Sequence, residues 1–363
     1  MCIIFLAIDI HPKYSLVLAS NRDEFLDRPT KAMSLWTNDG NDGHFTNESR
    51  EGRHCSEVND NDNDTSSSLK AHKKRHSKRT SLAGKDLVGG GTWLGIDVTD
   101  RDLIVEKNAV PDDHPTYGSH DLVDNDDNSL RWIALTNFID ANTEEIHGKA
   151  SRGSLLSEYL GMNTTNPSRG GKDESSAKSF AVELTQRGEE YNGFSMLVGD
   201  KTGVYYCTNR GIYPSPSSAD QTPMHESSHS GPLPRGIYGL SNGILDSHWP
   251  KVMRGKEMLT DLCNKDASTP VKDFHESLME ILRDEWRPPD KHLPDSHRSF
   301  IFVPQFEFMG REYGTRCSTT ILVERSNGKV SVLERTWTTE NDRWFEFGAR
   351  RMGKRKDDSR ETR

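Results

Sequence analysis

The chain has 363 residues, with 47 basic against 56 acidic side chains and a formal net charge of −9, a balance that disfavours nucleic-acid binding, which needs a basic surface to displace counterions. A hydrophobic content of 32% and a mean hydropathy of −0.79 leave much of the chain outside any core, and no apolar run approaches the ~20 residues that span a bilayer. Five cysteines without a CxxC spacing favour a reducing compartment over a disulfide framework.

Residues 2–8 read as a buried strand; the run lacks a basic leader and meets Asp9 early, so it is not a signal peptide. Cys2 follows Met1 directly, and initiator methionine is commonly trimmed ahead of a small side chain. Trimming leaves a nucleophile with a reference pKa near ~8.5 and an α-amine base near ~7.7–8.0 on one residue. The plain alternative is a small apolar residue in a buried strand. A second strand at 14–20 runs into Asn21-Arg22-Asp23-Glu24-Phe25. An Arg and a carboxylate at a strand mouth either hold an anionic group and orient an amine, or pair in a solvated turn.

Residues 38–85 are almost all polar, with Asn59-Asp60-Asn61-Asp62-Asn63-Asp64 and a basic stretch containing Lys73-Lys74-Arg75. Such a segment cannot offset the cost of ordering its backbone and is expected to be a disordered insert. Its basic run reads as a nuclear address, an acidic-lipid contact or a solvated patch. The block from Gly89 to Gly95 leads into a strand at 92–96 and lacks the Gly-Lys-Ser/Thr end of a phosphate loop. Trp93 within it either lines an apolar pocket or packs the sheet. Further polar segments are expected at 97–128, at 161–176 and, rich in Pro and Ser, at 214–234, with a charged tail at 350–363.

Between the inserts, strands are expected at 132–137, 194–198, 204–208, 299–303, 319–324, 329–335 and 344–347, with an Asn327-Gly328 hairpin. Helices are expected at 151–160, 177–187, 249–263 (Ser247 as N-cap, Pro250 in the first turn) and 271–283. In the last, Val271, Phe274, Leu278, Ile281 and Leu282 share one face. Hairpin-joined strands with helices able to cover both faces suggest an α+β fold of stacked antiparallel sheets between helix layers. His72, His76, His225 and His229 fall in inserts and His120, His147 and His275 are isolated, so no metal site is expected.

Met1-Cys2-Ile3-Ile4-Phe5 and the Asn21–Phe25 block resemble the NRDE family, also called the transport and Golgi organization protein 2 family. The resemblance continues in order through Gly90–Gly95, Leu135–Phe138, Tyr191–Phe194, Asn209-Arg210-Gly211, Tyr238–Asn242, Trp249 with Lys251, Tyr313–Arg316 and Thr320–Val323. It implies one domain over 1–349 with an N-terminal-nucleophile-hydrolase-like αββα sandwich. Cysteine members of that fold, the choloylglycine hydrolases and penicillin V acylases, surround the N-terminal Cys with an Arg, an Asp, Asn residues and a distal Arg. By resemblance Arg22 and Asp23 are the first pair; they are adjacent here rather than separated by two residues, so Asn21 or Glu24 are alternatives for part of that role. Asn137 and Asn192 are candidate oxyanion donors, each with a plain reading as a turn or strand-end residue, and Arg316 is the candidate distal Arg, or an ion pair on a strand edge.

Two functions follow from the resemblance. One is amide or thioester hydrolysis through Cys2 on a small-molecule substrate, with no cofactor, Arg22 and Arg316 favouring a carboxylate or phosphate. The other is non-catalytic handling of a hydrophobic ligand, haem or lipid, in Golgi and secretory organization. Cys2 as a haem-iron ligand has no Cys-Pro pair behind it. The expected location is the cytoplasm, with Golgi or mitochondrial association implied by the resemblance alone.

Overall fold

The computed structural model describes residues 2–37, 79–99, 101–108, 130–139, 145–162, 176–210, 232–265, 267–287 and 299–350. Both faces of β1 (Cys2–Ile8) are apolar, with Ile3, Ile4, Phe5, Leu6 and Ala7 all at most 1% exposed. A strand buried on both faces needs cover on both sides, and here the cover differs.

On one side, Ile4 and Leu6 join Leu16 and Leu18 of β2 (Tyr14–Phe25) and meet Leu82, Leu94, Ala134 and Leu197 of a second sheet. On the other, Ile3, Phe5 and Ala7 pack with Val252 and Leu259 of α3 (Pro250–Cys263) and Phe274 and Leu278 of α4 (Val271–Leu282). The second sheet is covered in turn by α1 (Gly153–Tyr159) and α2 (Ala177–Arg187), whose Leu155, Leu156, Phe180 and Leu184 meet Ile133, Met196 and Val198. The layers therefore run helix, sheet, sheet, helix, and the architecture is α+β.

The first sheet runs β10 (Gly236–Leu240), β1, β2, β12 (Arg311–Glu324), β13 (Val330–Thr336), β14 (Asn341–Arg350) and β6 (Arg101–Lys107), with β11 (Phe306–Phe308) added to β12. The second runs β3 (Thr30–Thr37), β4 (Thr80–Asp86), β5 (Leu94–Asp97), β7 (Trp132–Asn137), β8 (Phe194–Asp200) and β9 (Gly203–Thr208). Neighbouring strands pair antiparallel throughout. Gly255 seats α3 on β1: a Cβ there would lie 1.9 Å from Phe5 Cζ, so only hydrogen fits between helix and ring.

Several expectations are corrected. The Asn21–Phe25 block is not a turn at a strand mouth; it is the last part of β2, which extends to Phe25. Residues 80–85, expected in the disordered insert, form most of β4, because Leu82 and Ala83 are fully buried in the second sheet. Part of the 97–128 insert forms β6, a charge-rich strand at the edge of the first sheet. Residues 299–303 are not a strand, although Phe300, Ile301 and Val303 are buried. Helix α3 is capped by Trp249 rather than Ser247, with Pro250 at its first position. The remaining insert readings, at 38–78, 109–128, 163–175 and 214–231, and the tail beyond 350 lie outside the described residues. The hairpin at Asn327-Gly328 is present: Gly328 has φ +64°, and the Asn327 carboxamide oxygen accepts from the Lys329 N–H at 2.8 Å.

Candidate active site

Cys2 opens β1 directly opposite Arg22 of β2, which in turn lies opposite Cys317 of β12. A β-bulge follows in β12: Thr315, not Arg316, is the partner of Asp23. The pleat then divides the polar residues of β2 between its two faces.

The Cys2 backbone nitrogen donates to Asn242 Oδ1 at 2.9 Å, and the Cys2 carbonyl accepts from Ser241 Oγ at 2.7 Å. Asn242 is 1% exposed, and its Nδ2 donates to the Asn137 carbonyl at 2.8 Å. The segment after β10 thus clamps the start of β1 to the end of β7. Cys2 retains some accessible surface, yet burial pushes its thiol above the usual range; the Asp23 carboxylate adds to this, while the Asp23 backbone N–H and Arg22 act in the opposite sense.

Asp23 accepts from Thr315 Oγ1 at 2.7 Å and is 4% exposed. Burial raises its pKa; the Lys251 charge and the Thr315 hydroxyl oppose that, and Glu24 adds to it. Lys251, in the first turn of α3, is 0% exposed, and burial pushes its ammonium down to about 8 against the attraction of Asp23 and Cys2.

Arg22 faces the second sheet. Its guanidinium lies 4.2 Å from the Trp93 ring, donates to Thr30 Oγ1 at 3.2 Å and stands 3.7 Å from Glu24 and 3.6 Å from Asp86. Arg28 joins the same carboxylates, at 3.0 Å from Asp86 and 3.6 Å from Glu24. Arg316, displaced by the bulge, donates to the carbonyls of Leu26 (3.1 Å) and Arg28 (2.6 Å). Burial and the charge of Arg22 lower its pKa. Arg22 and Arg28 thus share the Glu24 and Asp86 carboxylates, whereas the bonds of the Arg316 guanidinium go to backbone carbonyls. Trp93 reaches Arg22 because Gly84 makes room, a Cβ there lying 2.3 Å from Trp93 Cη2.

Of the residues singled out from sequence, Cys2, Arg22, Asp23, Trp93 and Arg316 are brought to one end of β1 and β2, and Asn137 is tied to it through its carbonyl, its side chain being exposed. Two are not part of this cluster. Asn192 clamps a surface loop, exchanging hydrogen bonds of 2.9 and 3.1 Å with the backbone of Ile146. Asn21, read as a pocket residue, points to the helix side; its Nδ2 donates to the carbonyls of Leu282 (2.8 Å) and Ile301 (2.9 Å), and its Oδ1 accepts from Ser318 (2.6 Å). Its polar groups are consumed inside the protein, so it is an internal tie. Sequence reasoning missed Asn242, Ser241 and Lys251 as site residues. The readable signal was Lys251 itself, a cation beside the Pro that starts a helix, where the dipole disfavours it.

Among the described residues no group of three or more His, Cys, Asp and Glu side chains could hold a metal ion. No helix among them is long and apolar enough to cross a membrane.

The chain is similar to the Transport and Golgi organization 2 homolog of Mus musculus, at 26% identity over 363 residues, covering 95% of this chain and 96% of the relative. It is likewise similar to the Transport and Golgi organization protein 2 homologs of Bos taurus (25% over 360 residues; 95% and 96% covered) and Homo sapiens (26% over 352 residues; 93% of each). The family model for Transport and Golgi organisation 2 matches residues 1–44 and 126–339, which carry β1, β2, β12 and the Asn242 clamp, and the chain belongs to that family.

Proposed function

We propose that the chain is a cysteine N-terminal-nucleophile hydrolase that cleaves an amide or thioester of an anionic acyl substrate. The observation that carries this reading is the contact between the Cys2 nitrogen and Asn242 Oδ1 at 2.9 Å, beside a sulfur flanked by Asp23 and Arg22. Removal of Met1 turns that nitrogen into an α-amine already oriented by an acceptor. The amine takes the thiol proton, the sulfur attacks the substrate carbonyl carbon, and the oxyanion is met by Asn137. The amine's proton passes to the departing nitrogen or sulfur, leaving an acyl thioester on Cys2. Water adds to the thioester, the acid leaves, and the thiol is restored. The guanidiniums of Arg22 and of Arg316, the latter bonded to backbone carbonyls, suit a substrate carboxylate or phosphate, and Trp93 supplies an apolar wall.

A second reading, binding of haem or lipid without turnover, draws on a different observation. The hairpin of β11 and β12 exposes Phe306, Phe308 and Met309 next to Phe25, where β2 ends. That surface would serve a hydrophobic ligand, and the relatives' names place them in Golgi organization. For this chain a cytoplasmic location with Golgi association fits either reading.

Intact-protein and N-terminal-peptide mass spectrometry, after exposure to a mild acylating probe, separates the two. The hydrolase reading expects Met1 to be absent and Cys2 to acylate faster than Cys207, Cys263 and Cys317, all of which are buried. It also expects Cys2→Ala to abolish turnover while the fold persists. A retained Met1 with an inert Cys2 would sink it, and ligand searches would take precedence.

A further inference from the structure

The Asn209-Arg210-Gly211 block has no part in the Cys2 site, yet its arginine stands apart from the others. Arg210 lies just past β9, half-buried, and its Nε is shut off from solvent with no hydrogen-bond partner among the described residues. Its guanidinium has no ion pair among them either, whereas every other buried or half-buried arginine whose side chain is described has a partner. A guanidinium taken from water without an acceptor is costly. The residue is nonetheless held in place. The Asn209 carboxamide accepts from the Phe194 N–H at 2.8 Å and donates to the carbonyls of Gly188 (2.8 Å), Tyr191 and Asn192 (both 3.2 Å). A Cβ at Gly193 would lie 2.9 Å from Arg210 Nε and 3.3 Å from Nη2, so the guanidinium rests where only glycine leaves room.

A second guanidinium meets the same glycine. Arg152 Nη1 donates to the Gly193 carbonyl at 3.1 Å, and its Nη2 pairs at 2.7 Å with Glu145, a carboxylate 68% exposed to solvent. The Gly193 carbonyl also accepts from the Phe138 N–H at 2.9 Å, one residue beyond the Asn137 carbonyl that holds Asn242. The two arginines therefore sit at the Cys2 end of the second sheet, with Arg210 two strands from β7, about 10 Å at ordinary strand spacing. We propose that Arg210 and Arg152 form a subsite for a phosphate group, separate from the Arg22 and Arg316 cluster. One planar fork saturates a carboxylate, whereas a tetrahedral phosphate has oxygens enough to accept from two forks and charge enough to face both. The subsite goes beyond the hydrolase reading, because a phosphate is held here whether or not a carbonyl reacts at Cys2.

The test is modification of the full chain by phenylglyoxal, which attacks guanidiniums, read on the Arg210 peptide by mass spectrometry. Inorganic phosphate is the probe, with sodium acetate and sodium chloride at matched ionic strength beside it. The expected result is that millimolar phosphate slows Arg210 labelling by about tenfold, the factor for a site about nine-tenths occupied, while acetate and chloride do not. Phosphate should also raise the thermal midpoint of the parent and not that of Arg210→Gln. Absent protection overturns the proposal, as does an equal midpoint rise in Arg210→Gln. Equal protection by chloride would mean charge screening, and equal protection by acetate a carboxylate site; each overturns it too. Should Arg210→Gln not fold, Arg152→Gln serves in its place, with weaker protection of Arg210 expected and undiminished protection contrary. Neither readout involves Cys2 or turnover. A chain that binds phosphate here but never hydrolyses a substrate would sink the hydrolase reading and leave this subsite standing.

Discussion

Replacing Asn21 with aspartate keeps the shape of the side chain and turns its NH2 group into an oxygen. The acceptor for Ser318 survives, but the donors to the Leu282 and Ile301 carbonyls, now 2.8 and 2.9 Å away, are lost. Each buried carbonyl left without a donor costs ~1–3 kcal/mol, so the two together cost ~2–6 kcal/mol. That is a large part of the ~5–15 kcal/mol that holds a typical domain together. At ~2–4 °C per kcal/mol for a folded unit of ~150–250 residues, Asn21→Asp lowers the thermal midpoint by ~4–24 °C. The sign of its pH dependence is also fixed. Burial raises the folded pKa of the new carboxyl above its unfolded value, and the protonated form restores one donor. The defect is therefore smallest below the unfolded carboxylate pKa and grows as pH rises through the folded one. Thermal unfolding followed by circular dichroism at acid and neutral pH measures both effects. A midpoint within about 1 °C of the parent, with slowed Cys2 labelling, would make Asn21 a pocket residue and refute the reasoning.

Gly84→Ala puts a methyl group 2.3 Å from Trp93 Cη2 and forces the ring off the Arg22 guanidinium. It should cost ~1–3 kcal/mol by urea titration and shift the tryptophan emission; an unchanged urea midpoint would contradict the close fit. His275 lies between Thr320 Oγ1 (2.6 Å) and Ser331 Oγ (2.9 Å), and burial pushes its imidazole down to about 3. Because the folded value lies below the ordinary 6.5, the stability it confers is present above pH 6.5 and is lost as pH falls towards 3. His275→Gln should flatten that acid decline, and equal urea midpoint changes between pH 7 and pH 4 in parent and variant would rule it out.

Where burial and periodicity coincide, the elements were legible. The strand at 2–8 and the helices at 177–187 and 271–282 form nearly where their apolar positions indicate. Hydrophobicity reports burial, not a backbone partner, which is why Phe300, Ile301 and Val303 read as a strand yet form none. The reverse error arose at Asn21-Arg22-Asp23, whose polarity suggests a solvated turn. These residues sit inside a sheet because the end of α4, Thr315, Thr30 and Trp93 satisfy them. The chemistry of Cys2, Arg22 and Asp23 could be named from residue type, since nucleophile, guanidinium and carboxylate stand in known strands. Asn242 could not: it meets Cys2 across 240 residues through the pairing of β1 with β10, a register that no local pattern encodes.

The extra residue in β12 acts as a selector. In uninterrupted register Arg316 would stand across from Asp23 and make an ordinary ion pair with it. The bulge hands that position to Thr315, whose hydroxyl bonds the carboxylate without cancelling its charge, and sends the guanidinium to the carbonyls of Leu26 and Arg28. Shortening β12 by one residue at this point would thus do what no substitution does. It would bring a guanidinium to Asp23 in place of the Thr315 hydroxyl, which also accepts from the Val303 N–H at 2.8 Å, so the electrostatics of the site hang on chain length as much as on residue identity.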